Sequence, residues 1–405
     1  MSTALYGGTF DPFHKAHRRM VKAALKSGIP DQIYVMPAGT PPHKGRRDIS
    51  FSAYRYMMAK KVFAKEKYKA VKVSDYEIKE SGPSYTISTV RYLRAHVLPP
   101  GELLYLIIGS DSLMEIETWH EYPALLKSCP LLVAERPGEE DRKVLEAQKK
   151  RLEKYYGACI TFYPMKPSTL SSSTIREELL AGKDVKGLPK DVRAFIDKNY
   201  LYRDQPLSVL SEEQILLLRD YERKLMRLMS YGRLIHSLNV MYEAVRLAVR
   251  FGADPWAAAQ AGILHDMAKE QNYHKRPDVL SRIDPSYLEN KPILHGPVAA
   301  FMVREIFDIK DPAVRGAIYH HSSLSRIPAP LEKIVYLADK IEPARDYADL
   351  APIREMAQKD LDKAVVMTID GSAAGIEAGG GKVHKDTVAA RRYLAEKIKQ
   401  KEASD

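Results

Sequence analysis

The feature that most constrains this chain is a change of hydrophobic period part-way along it. Between residue 3 and about residue 163, short β-rich apolar runs at 3–6, 32–36, 71–73, 103–108, 131–134 and 160–162 alternate with helical patterns at 18–26, 53–64, 87–95 and 143–155. Strands separated by helices in this way lie parallel, because each return to the sheet crosses over through a helix. An α/β, doubly wound parallel sheet follows, with ligands expected at the carboxyl ends of its strands. Further helical patterns at 172–181 and 190–199 close this half. From residue 212 onward the apolar residues recur with a helical period only, at 212–229, 234–251, 256–268, 295–307, 311–321, 331–342, 358–375 and 385–401. No β pattern competes there, so the second half is expected to be all-α.

A chain of 405 residues is too long for one ordinary core at about 150 residues per domain. The break Asp204-Gln205-Pro206 falls where the period changes, and Ser211 with Gln214 three residues on forms a capping-box signature that opens a helix. The expected division is therefore a domain at 1–202, a linker at 203–211 and a domain at 212–405. Charge follows the same division: residues 1–202 hold 33 Lys and Arg against 23 Asp and Glu, whereas the remainder holds 30 against 29. The first half thus favours anionic ligands. Nucleic acid is not expected, since no helix-turn-helix, zinc-finger or RNA-recognition pattern occurs. Apolar runs such as 103–108 are far shorter than the roughly 18 residues of a membrane span, so no membrane association is expected. The two cysteines, Cys129 and Cys159, argue against a disulfide scaffold and a thiolate zinc site. Without a basic, apolar leader at the N-terminus, a cytoplasmic location is expected. An oligomer is compatible with this sequence.

The first strand runs into Gly7-Gly8-Thr9-Phe10-Asp11-Pro12-Phe13-His14-Lys15-Ala16-His17. Paired glycines after a strand let the backbone approach a ligand closely. His14 and His17 are neighbours on one helix face, and at a helix N-terminus they would join free N–H groups in meeting phosphate. This segment resembles the signature of the nucleotidyltransferase superfamily, specifically nicotinate-nucleotide adenylyltransferase, with Ala16 standing where that signature has Gly. The resemblance continues through Pro41-Pro42-His43-Lys44, Ser84-Tyr85-Thr86, Gly109-Ser110-Asp111, Trp119 and Ser171-Ser172-Ser173-Thr174-Ile175-Arg176, and covers residues 1–202 in order.

That resemblance implies a Rossmann-like domain in which a phosphate oxygen of nicotinate mononucleotide attacks the α-phosphorus of ATP, with Mg²⁺ present and pyrophosphate leaving. Such transfer needs positioning and charge neutralisation more than covalent catalysis. His14, His17, Lys44 and Arg176 would donate to the triphosphate, Ser172 and Ser173 would add donors to the same anion, and Gly7, Gly8, Thr9 and Phe10 would bind substrate. Gly109 would bind substrate, Asp111 would accept from ribose hydroxyls, Trp119 would stack on the pyridine ring, and backbone groups near Thr86 would read the nicotinate carboxylate. Taken singly, Trp119 would be core and Lys44 solvated; their joint occurrence reverses that.

In the helical half, His236, His265-Asp266, His295, His320-His321 and Asp339 recur at positions that invite a metal. Imidazole and carboxylate ligands without cysteine suit iron, manganese or magnesium. His236, His265, Asp266 and Asp339 could hold one ion; His295 and one tandem histidine would complete two, bridged by Asp266. A metal pair of this kind activates water and clamps phosphate oxygens. The order resembles an HD-domain phosphohydrolase. Through Gly262-Ile263-Leu264-His265-Asp266-Met267-Ala268-Lys269, Leu294-His295-Gly296-Pro297-Val298 and Tyr336-Leu337-Ala338-Asp339-Lys340-Ile341-Glu342-Pro343 it is similar to the bacterial HD family of symmetrical bis(5′-nucleosyl)-tetraphosphatases. This implies His321 as the ligand, iron first and manganese second, dinucleoside polyphosphates as substrates with diadenosine tetraphosphate cleaved to two ADP, and Lys269 and Arg345 on substrate phosphates.

Two rival readings differ in class. The first domain could use another phosphorylated acceptor, against which Pro41 to Lys44, Ser84 to Thr86 and Trp119 argue. The helical half could be a non-catalytic nucleotide sensor, which the full ligand set disfavours.

Overall fold

The computed structural model describes residues 1–40, 49–135, 139–166, 168–347 and 350–404. Six strands are present: β1 (Ser2–Gly8), β2 (Gln32–Pro37), β3 (Val71–Val73), β4 (Leu103–Gly109), β5 (Leu131–Glu135) and β6 (Ile160–Pro164). They pair in the order β3-β2-β1-β4-β5-β6, all parallel. β1 is central, with Thr3 opposite Gln32 on one side and Leu104 on the other. The order reverses between β1 and β4, so the loops leaving these two strands part and open a crevice at their carboxyl ends.

Burial of the strands on both faces explains their near-continuous apolar runs. Leu5, Leu104, Leu106, Ile108, Leu131 and Val133 pack with Ile87, Val90 and Leu93 of the helix Thr86–His96 and with Leu145 and Leu152 of the helix Glu139–Tyr156. Each such side chain contributes about 1.5–3 kcal/mol by leaving water. The short helices Tyr76–Lys79, Ser110–Glu115 and Tyr122–Ser128 have no counterpart in the periodicity reading. One or two turns present too few residues for a 3.6-residue period to register.

The helical half is built around Tyr231–Phe251, which ends at Gly252 with φ +67°, a left-handed conformation that suits glycine. Helix Pro255–Leu264 lies close against it, because a Cβ at Gly262 would come within 2.7 Å of the Met241 Cα. Asp254 caps the Pro255–Leu264 helix by accepting from Trp256 N at 2.8 Å, and proline stands at its start. Helices His295–Phe307, Pro312–His320 and Pro330–Ile341 complete the core, followed by Leu361–Ala378 and Lys385–Glu402. The expected helix at 256–268 stops at Leu264, leaving His265 and Asp266 in the turn that follows.

The chain separates into two compact units, Met1–Asp197 with Leu201–Asp204, and Lys198–Tyr200 with Gln205–Asp405. Residues Pro206–Val209 form a 3₁₀ turn packed on the Tyr231–Phe251 helix. Ser211 and Gln214 exchange both capping-box bonds, at 3.2 and 2.8 Å, to start Glu212–Leu225. Among the described residues, no helix is long and apolar enough to cross a membrane.

Candidate active sites

The crevice between β1 and β4 is a cavity of about 820 Å³, a size that holds a nucleotide. Gly7, Gly8, Thr9, Phe10, His14, His17, Thr86, Gly109, Asp111, Trp119, Ser172, Ser173 and Arg176 all line it. A Cβ at Gly8 would lie 2.7 Å from the Phe10 ring, and one at Gly109 would run into the Asp111 carboxylate, so a side chain at either position would displace its neighbour. Phe10 is held at φ +53° and packs against Phe13 and His17, which fixes the second histidine from its edge.

His14 sits at the N-cap of the helix Lys15–Lys26, and its backbone N–H donates to His17 Nδ1 at 3.2 Å. The two rings stack with centroids 3.6 Å apart. Burial lowers the His14 pKa to about 4, and among the described residues its Nδ1 has no hydrogen-bond partner. At neutral pH the ring is therefore an uncharged donor or acceptor beside the free N–H groups of a helix start, which suits an anion. The preceding turn is held from three sides. Tyr202 Oη and Ser50 N donate to the Asp11 carboxylate at 2.6 and 3.0 Å, Arg176 Nη1 donates to the Asp11 carbonyl at 2.7 Å, and Ser172 Oγ donates to the Pro12 carbonyl at 3.2 Å. Ser173 Oγ pairs with Ser171 Oγ at 2.6 Å. Across the cavity, Ser84 Oγ accepts from Gly39 N and Thr40 N at 3.0 and 3.3 Å, which ties the loop after β2 to the residues that start the helix at Thr86. Trp119 is partly buried against the core, and the Tyr85 and His120 rings stack at 4.1 Å.

In the helical unit, the close approach at Gly262 brings His236 to the His265–Asp266 turn. A second close approach, where a Cβ at Gly296 would meet the Tyr319 carbonyl at 2.8 Å, brings His295 to His321. Asp266 lies between the two groups. Its Oδ2 faces His236 Nε2 at 3.8 Å and His265 Nε2 at 3.6 Å, while its Oδ1 faces His295 Nε2 at 3.1 Å and His321 Nε2 at 3.5 Å. Asp339 Oδ1 joins the first group, 3.0 Å from His236 Nε2 and 3.8 Å from His265 Nε2. His320 turns away, with Nδ1 3.1 Å from Tyr287 Oη.

The imidazoles are oriented from behind. His265 Nδ1 lies 2.8 Å from the Gly262 carbonyl and His321 Nδ1 2.8 Å from the Ile318 carbonyl, so each N–H donates outward and leaves the Nε2 lone pair facing the centre. His236 Nδ1 faces Glu342 Oε1 at 3.2 Å. Burial lowers His265 to about 3 and His295 to about 4, keeping both neutral. Burial works against the charge on Asp266, but His265, His295 and His321 outweigh it and hold the carboxylate far below its ordinary range. Among the described residues, His265 Nε2 is buried with no hydrogen-bond partner. Neutral imidazoles, ionised carboxylates and an orphaned buried lone pair together fit a pair of divalent cations.

Comparison with known proteins follows this division. The Cytidylyltransferase-like family matches residues 5–178 and the HD domain family matches residues 233–344. A probable nicotinate-nucleotide adenylyltransferase of Clostridium tetani is 37% identical over 201 residues, which is 49% of this chain and 98% of that protein. Through its first half, the chain belongs to the nicotinate-nucleotide adenylyltransferase family. A probable member from Geobacter metallireducens is 33% identical over 217 residues, covering 50% of this chain and 98% of its own length. Among solved structures, a Clostridium acetobutylicum protein described as a predicted HD superfamily hydrolase involved in NAD metabolism is 32% identical, with a TM-score of 0.42, covering 44% of this chain and 96% of that one. The second half carries an HD domain.

Relative to the family motifs, Lys44 and its neighbours Pro41, Pro42 and His43 lie outside the described residues. Several charged residues around the two centres escaped the sequence reading. Arg55, fully buried, donates to the carbonyls of Ser50, Thr9, Ala38 and Gly39 at 3.1, 2.9, 2.6 and 3.1 Å and so closes the loops after β1 and β2. Its signal was a lone charge in the stretch 52–59 of the helix Ser52–Phe63, most of which is buried. Arg233 Nη1 lies 2.8 Å from Asp266 Oδ2, and its position three residues before His236 on one helix face could have marked it. Lys340, also missed, pairs with Asp339; of the two cations read from the sequence, Arg345 Nη2 meets Asp339 at 2.7 Å and Lys269 Nζ approaches His295 Nδ1 at 3.2 Å. Glu342, besides facing His236, accepts from Asn239 Nδ2 at 3.0 Å and Ala344 N at 2.7 Å.

Proposed function

We propose that residues 1–202 join ATP to nicotinate mononucleotide, forming deamido-NAD and pyrophosphate, and that residues 212–405 form a metal-dependent nucleotide phosphohydrolase. Both would act in the cytoplasm. The stacked His14–His17 pair at a helix start, inside the β1/β4 crevice, is the observation that carries the first reading. The N–H groups of that helix start, with His14 and His17, meet the triphosphate as charge builds on it; Lys44, Arg176, Ser172 and Ser173 add donors. Arg176 already spans from its helix to the Asp11 carbonyl, so it holds the His14 turn as well as facing the cavity. Asp111 meets ribose, Trp119 stacks on the pyridine ring, and N–H groups at Thr86 read the carboxylate. Mg²⁺ accompanies the triphosphate. The test is product analysis on the intact chain with both acceptors: deamido-NAD should form with a higher kcat/KM than NAD does from the amide, and equal values would refute the preference.

For the helical unit, the carrying observation is Asp266 presenting one oxygen to each histidine group. His236, His265 and Asp339 would hold one ion and His295 and His321 the other, with Asp266 bridging; iron is the first choice and manganese the second. Bound ions of this kind supply an activated water and clamp phosphate oxygens. Arg233, Lys269, Lys340 and Arg345 surround the carboxylates and, released from them, would meet the charge of a polyphosphate chain. The substrate proposed is diadenosine tetraphosphate, cleaved symmetrically. Iron- or manganese-loaded protein should yield ADP alone. AMP plus ATP would contradict symmetrical cleavage, and tight nucleotide binding without turnover would favour the sensor.

A further inference from the structure

Glu77 is a buried acid to which the reading above assigns nothing. It lies in the short helix Tyr76–Lys79, is 9% exposed, and borders the same cavity as Thr86. Thr89 Oγ1 donates to Glu77 Oε1 at 2.6 Å. Ser84 also hydrogen-bonds to this carboxyl. The Ser84 oxygen already accepts from Gly39 N and Thr40 N, so its single proton is the one directed at Glu77. One carboxyl therefore fixes two hydroxyl rotors. Ser84 fastens the loop after β2, and Thr89 lies one turn beyond Thr86 on the helix Thr86–His96. The same loop is gripped from its other side by Arg55 on the Ala38 and Gly39 carbonyls, and Gly39 packs directly on the Glu77 backbone.

We propose that Glu77 is a positioning residue for the acceptor nucleotide: through Ser84 and Thr89 it sets the spacing between residues 38–40 and the N–H groups at Thr86. The inference rests on the acceptor reading above. Burial raises the Glu77 carboxyl to about 7 against the opposing pull of Thr89, Ser84 and Arg55, so it is ionisation of this acid that the site opposes. Above that pH the ionised carboxylate is acceptor-only, which suits two hydroxyl donors.

The experiment is steady-state adenylyl transfer by intact Glu77→Gln protein. Glutamine keeps the shape but replaces one acceptor oxygen with a donor, so one hydroxyl loses its partner. The KM for nicotinate mononucleotide should rise about tenfold, the scale of one charge-assisted hydrogen bond. KM for ATP and the thermal midpoint should stay near wild type. Thr89→Val should shift the acceptor KM in the same direction by less, and it keeps the test open should Glu77→Gln fail to fold. An unchanged acceptor KM in Thr89→Val and in any folded Glu77→Gln, or an equal rise for ATP, would overturn the proposal. Failure of the acceptor reading would appear separately, as wild-type protein that does not adenylate nicotinate mononucleotide.

Discussion

Replacing Arg55 with methionine tests how the first site is held together. Arg55 is fully buried and donates to four backbone carbonyls, two of them in the loop that follows β2. Methionine fills similar space, so little cavity cost is expected. Each carbonyl left without a donor costs about 1–3 kcal/mol, and removing a buried guanidinium returns part of that sum by ending its own desolvation. The expected net loss is about 3–5 kcal/mol. At about 2–4 °C per kcal/mol for a unit of this size, the first unit should melt about 10 °C lower. Arg55→Lys keeps the charge but offers three donors from a point, and should fall between. Calorimetry on the intact chain is the assay, with the first unit's transition identified by heat inactivation of adenylyl transfer. A shift under about 2 °C in Arg55→Met, or equal shifts in both transitions, would refute the reasoning.

His17→Ala should lower adenylyl transfer by about 10²-fold or more, the scale of one transition-state donor, with the midpoint unchanged; near-normal turnover would remove its proposed role. Asp266→Ala should lose bound metal, measured by elemental analysis, and hydrolysis, while adenylyl transfer persists. His320→Ala should retain more metal than His321→Ala, because His320 points to Tyr287 and His321 to Asp266. For pH, burial places His14 near 4 against an ordinary 6.5, so the unfolded chain takes up its proton first as pH falls. The stability carried by His14 is complete above about pH 6.5 and declines toward pH 4, by about 3 kcal/mol in all. His14→Asn should lack that component, which urea unfolding of both proteins at pH 7.5 and 4.5 would detect. Parallel profiles would contradict it.

The architecture was legible because its signals are local. A run such as 103–108 reads as a buried strand from its own residues, the helices of the second half carry a sustained period, and Ser211 with Gln214 announces a helix start three residues apart. The residues that line the crevice and form the histidine–aspartate cluster were legible where motif order reports them, as with Gly7 to His17 and His265-Asp266. What periodicity could not reach was any pairing across distance. That His321 and not His320 turns inward depends on how the Pro312–His320 helix ends beside Gly296, and the family phrase alone had pointed to it. The placement of Asp266 between two histidine groups depends on the close contact of Gly262 with Met241. Glu77 and Glu342 look like ordinary surface charges in one dimension, and the local marks of Arg55 and Arg233 name no partner, since nothing in a charged residue's own neighbourhood says whether its partner lies 3 or 100 residues away. Sequence alone settled the period of each segment and the order of its ligands; only packing decided which polar atoms lost water and therefore had to find one another.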